Sequence, residues 1–198
     1  MSIDRVDGRV ERRERNRAAV VDAMVSLLAE GVLDVTLELA AERAGVSVRS
    51  VFRYFDGVDD LRRQTAARHF AVVDDRLRSL DPAAHDRAAR VAAFVEDRVA
   101  LFASSATPAR IARQRAEFIP VVAEHLARVR ARLAEHVRVA FGPELAGLSA
   151  GASDDLVAVI DVAVSQDAWD SLRQIHGRER ADVERMWVDL VERLVPNE

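Results

Sequence analysis

The sequence predicts an all-α fold of about nine helices, and three features of its composition and patterning support this. Alanine, leucine, arginine and glutamate, which are good helix formers, are abundant along the 198 residues. Glycine and proline, which interrupt helices, occur only eight and five times. Apolar residues recur every three or four positions, and no segment has the sustained alternation that is typical of a strand.

The first long helix is predicted by an apolar stripe near the N-terminus. Its members follow the i, i+4, i+7, i+8 spacing of one helix face, and they are Val20, Met24, Leu27 and Leu28. Gly31 is expected to end this helix, because glycine readily takes the left-handed conformation that follows a helix C-terminus.

Two short helices are predicted next, separated by a tight turn. The first covers residues 36–44 and begins at Thr36, whose hydroxyl can cap free backbone amides. The second covers residues 48–54 and follows Ser47, which can act in the same way. Gly45 lies between them and can adopt the positive φ that the turn requires. This arrangement predicts a helix-turn-helix motif.

Longer helices are predicted for the remainder of the chain. A fourth helix is expected from about residue 59 to residue 80. Pro108 and Pro120 are expected at the first position of new helices, where a missing amide costs little. Residues 142–153 contain three glycines and form the clearest predicted loop. The later helices are expected over roughly residues 85–104, 108–118, 120–141, 154–176 and 179–194.

The helix-turn-helix segment carries a local concentration of positive charge. The whole chain has a formal net charge of −4, and its basic residues are all arginines. Between residues 43 and 55 there are three arginines, Arg43, Arg49 and Arg53, and no acidic residue. A basic face on an acidic protein is typical of a surface that binds phosphates. We therefore expect the second helix of the motif to enter the major groove of DNA.

The residues around this second helix resemble a known DNA-binding domain. SVRSVFRYF, preceded by AAERAGV and followed by a helix beginning DDL, is similar to the DNA-binding domain of TetR-family transcriptional regulators, over about residues 12–62. The resemblance implies a three-helix helix-turn-helix domain at residues 1–62 and a larger helical ligand-binding and dimerisation domain at residues 63–198. It also implies a homodimeric repressor that binds a palindromic operator and leaves it when a small-molecule effector binds.

The resemblance assigns roles to individual residues of the motif. Thr36 and Ser47 match helix-start hydroxyls that meet phosphates, and Arg53 and Tyr54 match phosphate contacts beside the recognition helix. The exposed start of that helix, where base edges are read, is matched by Val48, Arg49 and Ser50, and Arg49 is expected to pair with guanine. The candidate DNA-binding residues are Thr36, Arg43, Ser47, Val48, Arg49, Ser50, Arg53 and Tyr54.

Three positions depart from the family pattern. Phe52 replaces the usual tyrosine and lacks one hydroxyl directed at phosphate, while Val58 replaces a lysine that usually contacts the DNA backbone. Leu39 is also unusual, because the bulky core residue of the family would fall at position 40. Phe52 and Val58 leave open a second interpretation, in which the chain is a helical ligand-binding or interaction module that no longer binds DNA.

The last two predicted helices suggest a subunit interface. Residues 156–164 are apolar around most of the helix, as expected for a helix buried on two sides. The segment SQDAWDSLR and the amphipathic helix after it, which contain Trp169 and Trp187, resemble the dimerisation pair of many family members. Pairing with a second copy would form a four-helix bundle. The alternative is that these helices cover the core of their own subunit.

The resemblance places an effector pocket among the middle helices. Aromatic and polar side chains there are candidates for contacting the effector, and Arg98 or Arg113 could receive an anionic group. Taken singly, each of these residues more often has a simpler role as a core or surface residue. The candidate ligand-binding residues are Phe94, Arg98, Phe102, Phe118, His125, Gln166 and Trp169.

Other functional classes find little support in the sequence. The chain has no apolar run near the ~20 residues that span a bilayer, no secretory signal and no cysteine, which favours a cytoplasmic protein. A di-iron helical enzyme would need paired Glu-x-x-His motifs, and no Glu here has a His three residues later. We therefore expect no enzymatic activity, no cofactor and no metal site.

Overall fold

The fold comes from a computed structural model, which describes residues 3–77 and 86–196, with side chains from residue 8 onward. Helices account for most of the described residues, and none of these residues lies in a β-strand, so the all-α prediction is confirmed. The helices are α1 (Ile3–Ala29), α2 (Leu37–Arg43), α3 (Val48–Tyr54), α4 (Val58–Arg76), α5 (Arg87–Arg115), α6 (Pro120–Ala140), α7 (Gly142–Ala146), α8 (Ala150–Ala163), α9 (Gln166–Asp170), which continues as a π-helical segment (Ser171–Ile175), and α10 (Arg180–Leu194).

The chain divides into two compact units. The first unit contains Met1–Ala71 and Thr107–Leu126, and the second contains Val72–Ala106 and Ala127–Glu198. In the described ranges, no helix of either unit is long and apolar enough to cross a membrane.

The core of the first unit is built on α1. The predicted apolar stripe of this helix faces α2 and α3. The helix ends at Ala29, and the turn after it contains Gly31, which has a φ of +89°. Ala40 and Ala41 of α2 are buried in this core, and their short side chains let the neighbouring helices approach α2 closely. The buried residues of this core are Val20, Val21, Met24, Leu27, Val35, Ala40, Ala41, Val51, Tyr54, Phe55 and Leu61.

The core of the second unit contains a cluster of aromatic rings. Phe94 and Phe141 meet edge to face with ring centroids 5.1 Å apart. Trp187 contacts both Phe102 and Trp169, at centroid distances of 6.1 and 6.2 Å. Large aromatic side chains contribute much of the apolar area that a core buries. Both tryptophans therefore stabilise the core of their own chain.

The predicted helix break before Pro108 is wrong, because α5 continues through this residue. An internal proline removes one intrahelical hydrogen bond and costs about 3 kcal/mol. Burial of the residues on either side opposes this cost, since Phe102 and Ile111 are both buried. Tertiary packing therefore decides the length of this helix.

The predicted loop at residues 142–153 is also wrong for most of its length. It contains the whole of α7 and the start of α8. Glu144 of α7 is buried and forms an ion pair with the buried guanidinium of Arg90. Ser149 caps α8 by accepting a hydrogen bond from the Ala152 amide at 3.3 Å. These contacts outweigh the weak helix propensity of Gly142 and Gly151, whereas Gly147 lies in the turn between α7 and α8.

The helix predicted over residues 154–176 is interrupted near its middle. α8 ends at Ala163, and a new helix follows Ser165, whose hydroxyl accepts a hydrogen bond from the Ala168 amide at 3.2 Å. A serine hydroxyl can replace a backbone carbonyl as the acceptor for a helix-start amide. The second helix then passes into the π-helical segment.

Candidate nucleic-acid interface

The segment from α2 to α3 forms the predicted helix-turn-helix. The Oγ1 atom of Thr36 accepts a hydrogen bond from the Leu39 amide at 3.3 Å and caps α2. The Oγ atom of Ser47 accepts one from the Ser50 amide at 3.2 Å and caps α3. Gly45 has a φ of +67°, which glycine adopts without strain. The two predicted caps and the predicted turn are confirmed.

The inner face of α3 fixes this short helix on the first unit. Val51 is fully buried, and Tyr54 and Phe55 are nearly so, in the core that α1 and α2 share. Val46 packs at the edge of the same core. A helix of seven residues is too short to be stable alone. Burial of its inner face therefore holds α3 in place.

The outer face of α3 is exposed and basic. Arg49, Phe52 and Arg53 follow the i, i+3, i+4 spacing of a single helix face, and all three are exposed. Arg49 forms no hydrogen bond or ion pair with any residue that the structure describes. Its guanidinium donors are therefore available to a ligand. The ring of Phe52 is 60% exposed.

The residues on either side of Arg49 are held more closely to the protein. Val48 is half-buried and packs against the core of the first unit. Ser50 is half-buried too, and its hydroxyl oxygen lies 2.9 Å from that of Ser47. Of the three residues expected to read bases, Arg49 is thus the one with an exposed side chain.

Arg43, at the end of α2, is bound to an acidic residue. Its two terminal nitrogens lie 2.6 and 2.8 Å from the two carboxylate oxygens of Glu30, in the bidentate geometry that arginine and carboxylate favour. This hydrogen bonding lowers the pKa of Glu30 and raises the pKa of Arg43. Because Glu30 offsets its charge, Arg43 contributes less positive potential to this surface than Arg49 does.

Tyr54 is buried, and its hydroxyl has partners within the chain. The phenolic oxygen accepts hydrogen bonds from Nδ2 of Asn16 at 3.1 Å and from the guanidinium of Arg53 at 3.3 Å. These hydrogen bonds, that of Asn16 foremost, lower the pKa of Tyr54. The Arg53 guanidinium also lies 5.2 Å from the centroid of the Tyr54 ring. Tyr54 therefore positions Arg53 and ties α3 to α1.

Polar residues of α1 that the sequence analysis did not assign also reach α3. Arg13 donates a hydrogen bond to the backbone carbonyl of Arg53 at 3.2 Å, and Arg17 lies over the Phe55 ring at 5.7 Å from its centroid. Arg13, Asn16 and Arg17 have the i, i+3, i+4 spacing of one helix face. This spacing could have indicated from the sequence that the three residues belong to the DNA-binding surface. The four acidic residues among the first 17 positions made the positive charge of the segment less evident.

The predicted ligand-binding residues are divided between the two units. Phe118 and His125 belong to the first unit, and Phe118 is 74% exposed in the turn after α5. His125 is buried, and its Nε2 atom lies 3.0 Å from Nδ1 of His69. The members in the second unit, which are buried or half-buried there, are Phe94, Arg98, Phe102, Gln166 and Trp169.

Arg98 is fully buried, and groups of its own chain bind its guanidinium. One terminal nitrogen donates to the Asp161 carboxylate at 3.1 Å, and the other donates to the Leu133 carbonyl. The guanidinium also lies 5.1 Å from the centroid of the Phe94 ring. Burial lowers the pKa of Arg98 to about 10, so the group stays charged at neutral pH. An anionic ligand would therefore compete with Asp161 for this cation.

A small cleft lies on the first unit. It has a volume of about 180 Å³, and it is lined by Asp59, Arg63, Pro120, Val121 and Glu124. Pockets that bind drug-sized ligands typically measure ~300–1,000 Å³, and no predicted ligand-binding residue lines this cleft. Within the described part of the chain, no three histidine, cysteine, aspartate or glutamate residues are grouped to hold a metal ion.

The architecture is shared with solved structures. No protein-family model matches the chain, and no curated protein sequence does. A transcriptional regulator from Rhodococcus sp. Rha1 is 18% identical, with a TM-score of 0.70 over 92% of this chain and 95% of its own. A TetR transcription regulator from Haloarcula marismortui is 13% identical, with a TM-score of 0.65 over 91% of this chain and 96% of its own.

A third structure with the same architecture is the multidrug binding protein EbrR, complexed with imidazole. It is 16% identical to this chain, with a TM-score of 0.64 over 95% of this chain and 92% of its own. The three matches span nearly the full length of each protein, so the similarity includes both the helix-turn-helix and the helices that follow it. The chain therefore has the all-α fold of TetR-type transcriptional regulators.

Proposed function

We propose that the chain is a DNA-binding transcriptional regulator of the TetR family, with a DNA-binding domain at residues 1–62 and a ligand-binding and dimerisation domain at residues 63–198. The observation that carries this proposal is the outer face of α3, which exposes Arg49 and Arg53 with no acid between residues 43 and 55. A helix of this kind fits the major groove of B-DNA. The fold, shared with transcriptional regulators, supports the same conclusion.

The contacts divide into base readout and phosphate binding. Arg49 reads a guanine by donating two hydrogen bonds to its O6 and N7 atoms, because a free guanidinium matches that edge. Arg53 and Arg13 bind the DNA phosphates next to this guanine. The starts of α2 and α3, at Thr36 and Ser47, approach the sugar-phosphate backbone of the DNA. Tyr54 acts on Arg53 rather than on DNA, since its side chain is buried and its phenolic oxygen accepts a hydrogen bond from the Arg53 guanidinium.

The regulator acts as a homodimer through α8 and α10. Val159 and Val162 are 50% and 71% exposed on the face of α8 opposite the buried Val157 and Ile160. Leu190 of α10 is exposed as well. Exposed apolar surface of this kind favours association, and a second copy offers the same surface. Two recognition helices related by twofold symmetry then read a palindromic operator.

We also propose that the regulator is a repressor, and that it leaves DNA when a small-molecule effector binds in the second unit. The predicted residues of that unit lie in an aromatic core around Trp187, so a ligand that enters must repack them. A ligand that binds only the repacked state shifts the population toward it. The structural neighbour EbrR is a multidrug binding protein, which supports a pocket for organic effectors.

Selection of random duplexes with the purified protein tests the DNA-binding function. The selected duplex is then compared with a scrambled duplex by fluorescence anisotropy across a salt series. We expect selective binding that weakens steeply with salt, because phosphate contacts release counterions. Equal affinity for both duplexes at every salt concentration would contradict the proposal and favour a module that no longer reads DNA.

The subunit interface is tested with Val162→Glu. Because Val162 is exposed within the subunit, the variant should fold normally but sediment as a monomer, since a buried unpaired charge opposes pairing. Phe118→Glu is the matched control, because this residue is equally exposed but lies outside α8 and α10. A Val162→Glu variant that remains a dimer at micromolar concentration would place the interface elsewhere.

A further inference from the structure

Phe52 places an exposed aromatic ring in the middle of the basic face of α3. The ring is 60% exposed, and the side chains beside it on the same helix face are Arg49 and Arg53. No ring or cation contact to Phe52 occurs among the residues that the structure describes. The fold of the described chain therefore leaves most of the surface of Phe52 uncovered.

The position of Phe52 is not explained by packing. The inner face of α3 is filled by Val51 and Tyr54, which are buried in the core of the first unit. Water covers much of the Phe52 ring instead, and leaving an apolar side chain exposed forgoes the free energy that its burial would provide. A binding partner that covers the ring would recover that free energy.

The chemistry around the ring restricts what this partner is. With arginines on both sides and no acid from residue 43 to residue 55, the partner must carry negative charge. The partner must also present an apolar group to Phe52, between the negative charges that face the two arginines. Duplex DNA meets both conditions, because the 5-methyl group of thymine lies in the major groove between the phosphate backbones and accepts contacts from phenylalanine.

We propose that Phe52 determines specificity by contacting the 5-methyl group of a thymine in the major groove. This inference rests on the proposed DNA-binding function. Phe52 follows Arg49 by three residues, which is about 4.5 Å along a helix axis, and base pairs stack about 3.4 Å apart. The thymine therefore lies one or two base pairs from the guanine that Arg49 contacts.

The test replaces thymine by deoxyuridine, which lacks only the 5-methyl group. In the duplex selected by the wild-type protein, each thymine is exchanged in turn, at equivalent positions of both half-sites. We expect one position at which the exchange weakens wild-type binding about four-fold per half-site, equivalent to about 0.8 kcal/mol for one methyl-sized group. Phe52→Ala should bind the thymine duplex more weakly and no longer distinguish the two bases there.

Two further variants separate readout from a general loss of affinity. Phe52→Leu keeps an apolar side chain and should retain part of the preference for thymine. Phe118→Ala removes an equally exposed phenylalanine outside the helix-turn-helix and should retain all of it. Circular dichroism and thermal unfolding should be unchanged in Phe52→Ala, because the replaced ring is largely exposed.

The possible failures are distinguishable. If the wild-type protein selects a sequence but binds thymine and deoxyuridine equally at every position, the role of Phe52 is wrong and the DNA-binding function stands. The same holds if Phe52→Ala keeps the full preference for thymine. If no sequence is selected at all, the proposed function and this inference both fail.

Discussion

The three arginines of the helix-turn-helix differ because their neighbours differ. Glu30 binds Arg43 through both carboxylate oxygens, and the Tyr54 hydroxyl accepts one donor of Arg53. Arg49 has no such partner among the described residues. An arginine with all its donors free can make a bidentate contact to a base, whereas one held by a carboxylate must first lose that partner. Of the three arginines, Arg49 is therefore expected to contribute most to base selectivity.

Arg49→Ala should weaken binding to the selected duplex by about 1–3 kcal/mol and weaken binding to random DNA much less. The reason is that removal of a bidentate guanine contact affects only the sequence that contains this guanine. Fluorescence anisotropy with both duplexes at one salt concentration measures the difference. Arg130→Ala, which removes an exposed arginine from α6, is the control and should change neither affinity. An equal loss on both duplexes would instead identify Arg49 as a phosphate contact.

Tyr54→Phe distinguishes a positioning role for the hydroxyl from a direct contact with phosphate. If the hydroxyl holds Asn16 and Arg53, its loss should reduce the free energy of unfolding by about 0.5–1.5 kcal/mol, the usual net value of a hydrogen bond. Chemical denaturation of Tyr54→Phe, Asn16→Ala and the double variant measures the coupling, and the single effects should not add. Weaker DNA binding with additive, negligible effects on unfolding would show that the hydroxyl contacts DNA.

Among the elements, α3 depends on its cap more than a longer helix would. It has seven residues, and its first turn is closed by the hydroxyl of Ser47. Ser47→Ala should reduce the free energy of unfolding by about 1 kcal/mol, while Ser47→Gly should cost only a few tenths, because glycine is tolerated at the N-cap. Urea denaturation followed by circular dichroism measures both. Equal effects of the two substitutions would mean that the cap does not stabilise α3.

The helix-turn-helix could be predicted because its signals are local in the sequence. The elements that were predicted wrongly have bounds that depend on tertiary contacts. Ser47 and Gly45 act on their own backbone, so their roles can be inferred from neighbouring residues alone. The ends of α5 and the helical state of α7 depend on burial, and the ion pair between Arg90 and Glu144 joins residues that are distant in sequence. The link from Asn16 to Tyr54 was missed for the same reason, because a side-chain contact across 38 positions leaves no local pattern.

At the scale of the whole molecule, each unit contains a histidine whose neutral form is favoured, half-buried His69 in the first unit and buried His136 in the second. In the first unit, His69 lies against His125, with the nearest nitrogens 3.0 Å apart. In the second unit, His136 stacks on Phe94 at a centroid distance of 5.0 Å. Burial lowers the pKa of His69, and burial also lowers the pKa of His136, although Asp97 acts in the opposite direction. Protonation should therefore destabilise both units.

The free energy of unfolding should be nearly constant above about pH 7 and should decrease as the pH falls below about 6.5, the pKa of an unfolded histidine. Because the pKa values of His69 and His136 are lowered in the folded chain, the unfolded chain binds more protons than the folded chain in this range, and lower pH therefore favours unfolding. Urea denaturation between about pH 5 and pH 7.5 should show a shallower decrease for His69→Gln and His136→Gln than for His176→Gln, which replaces an exposed histidine. Equal slopes in the three variants would mean that other groups cause the acid sensitivity.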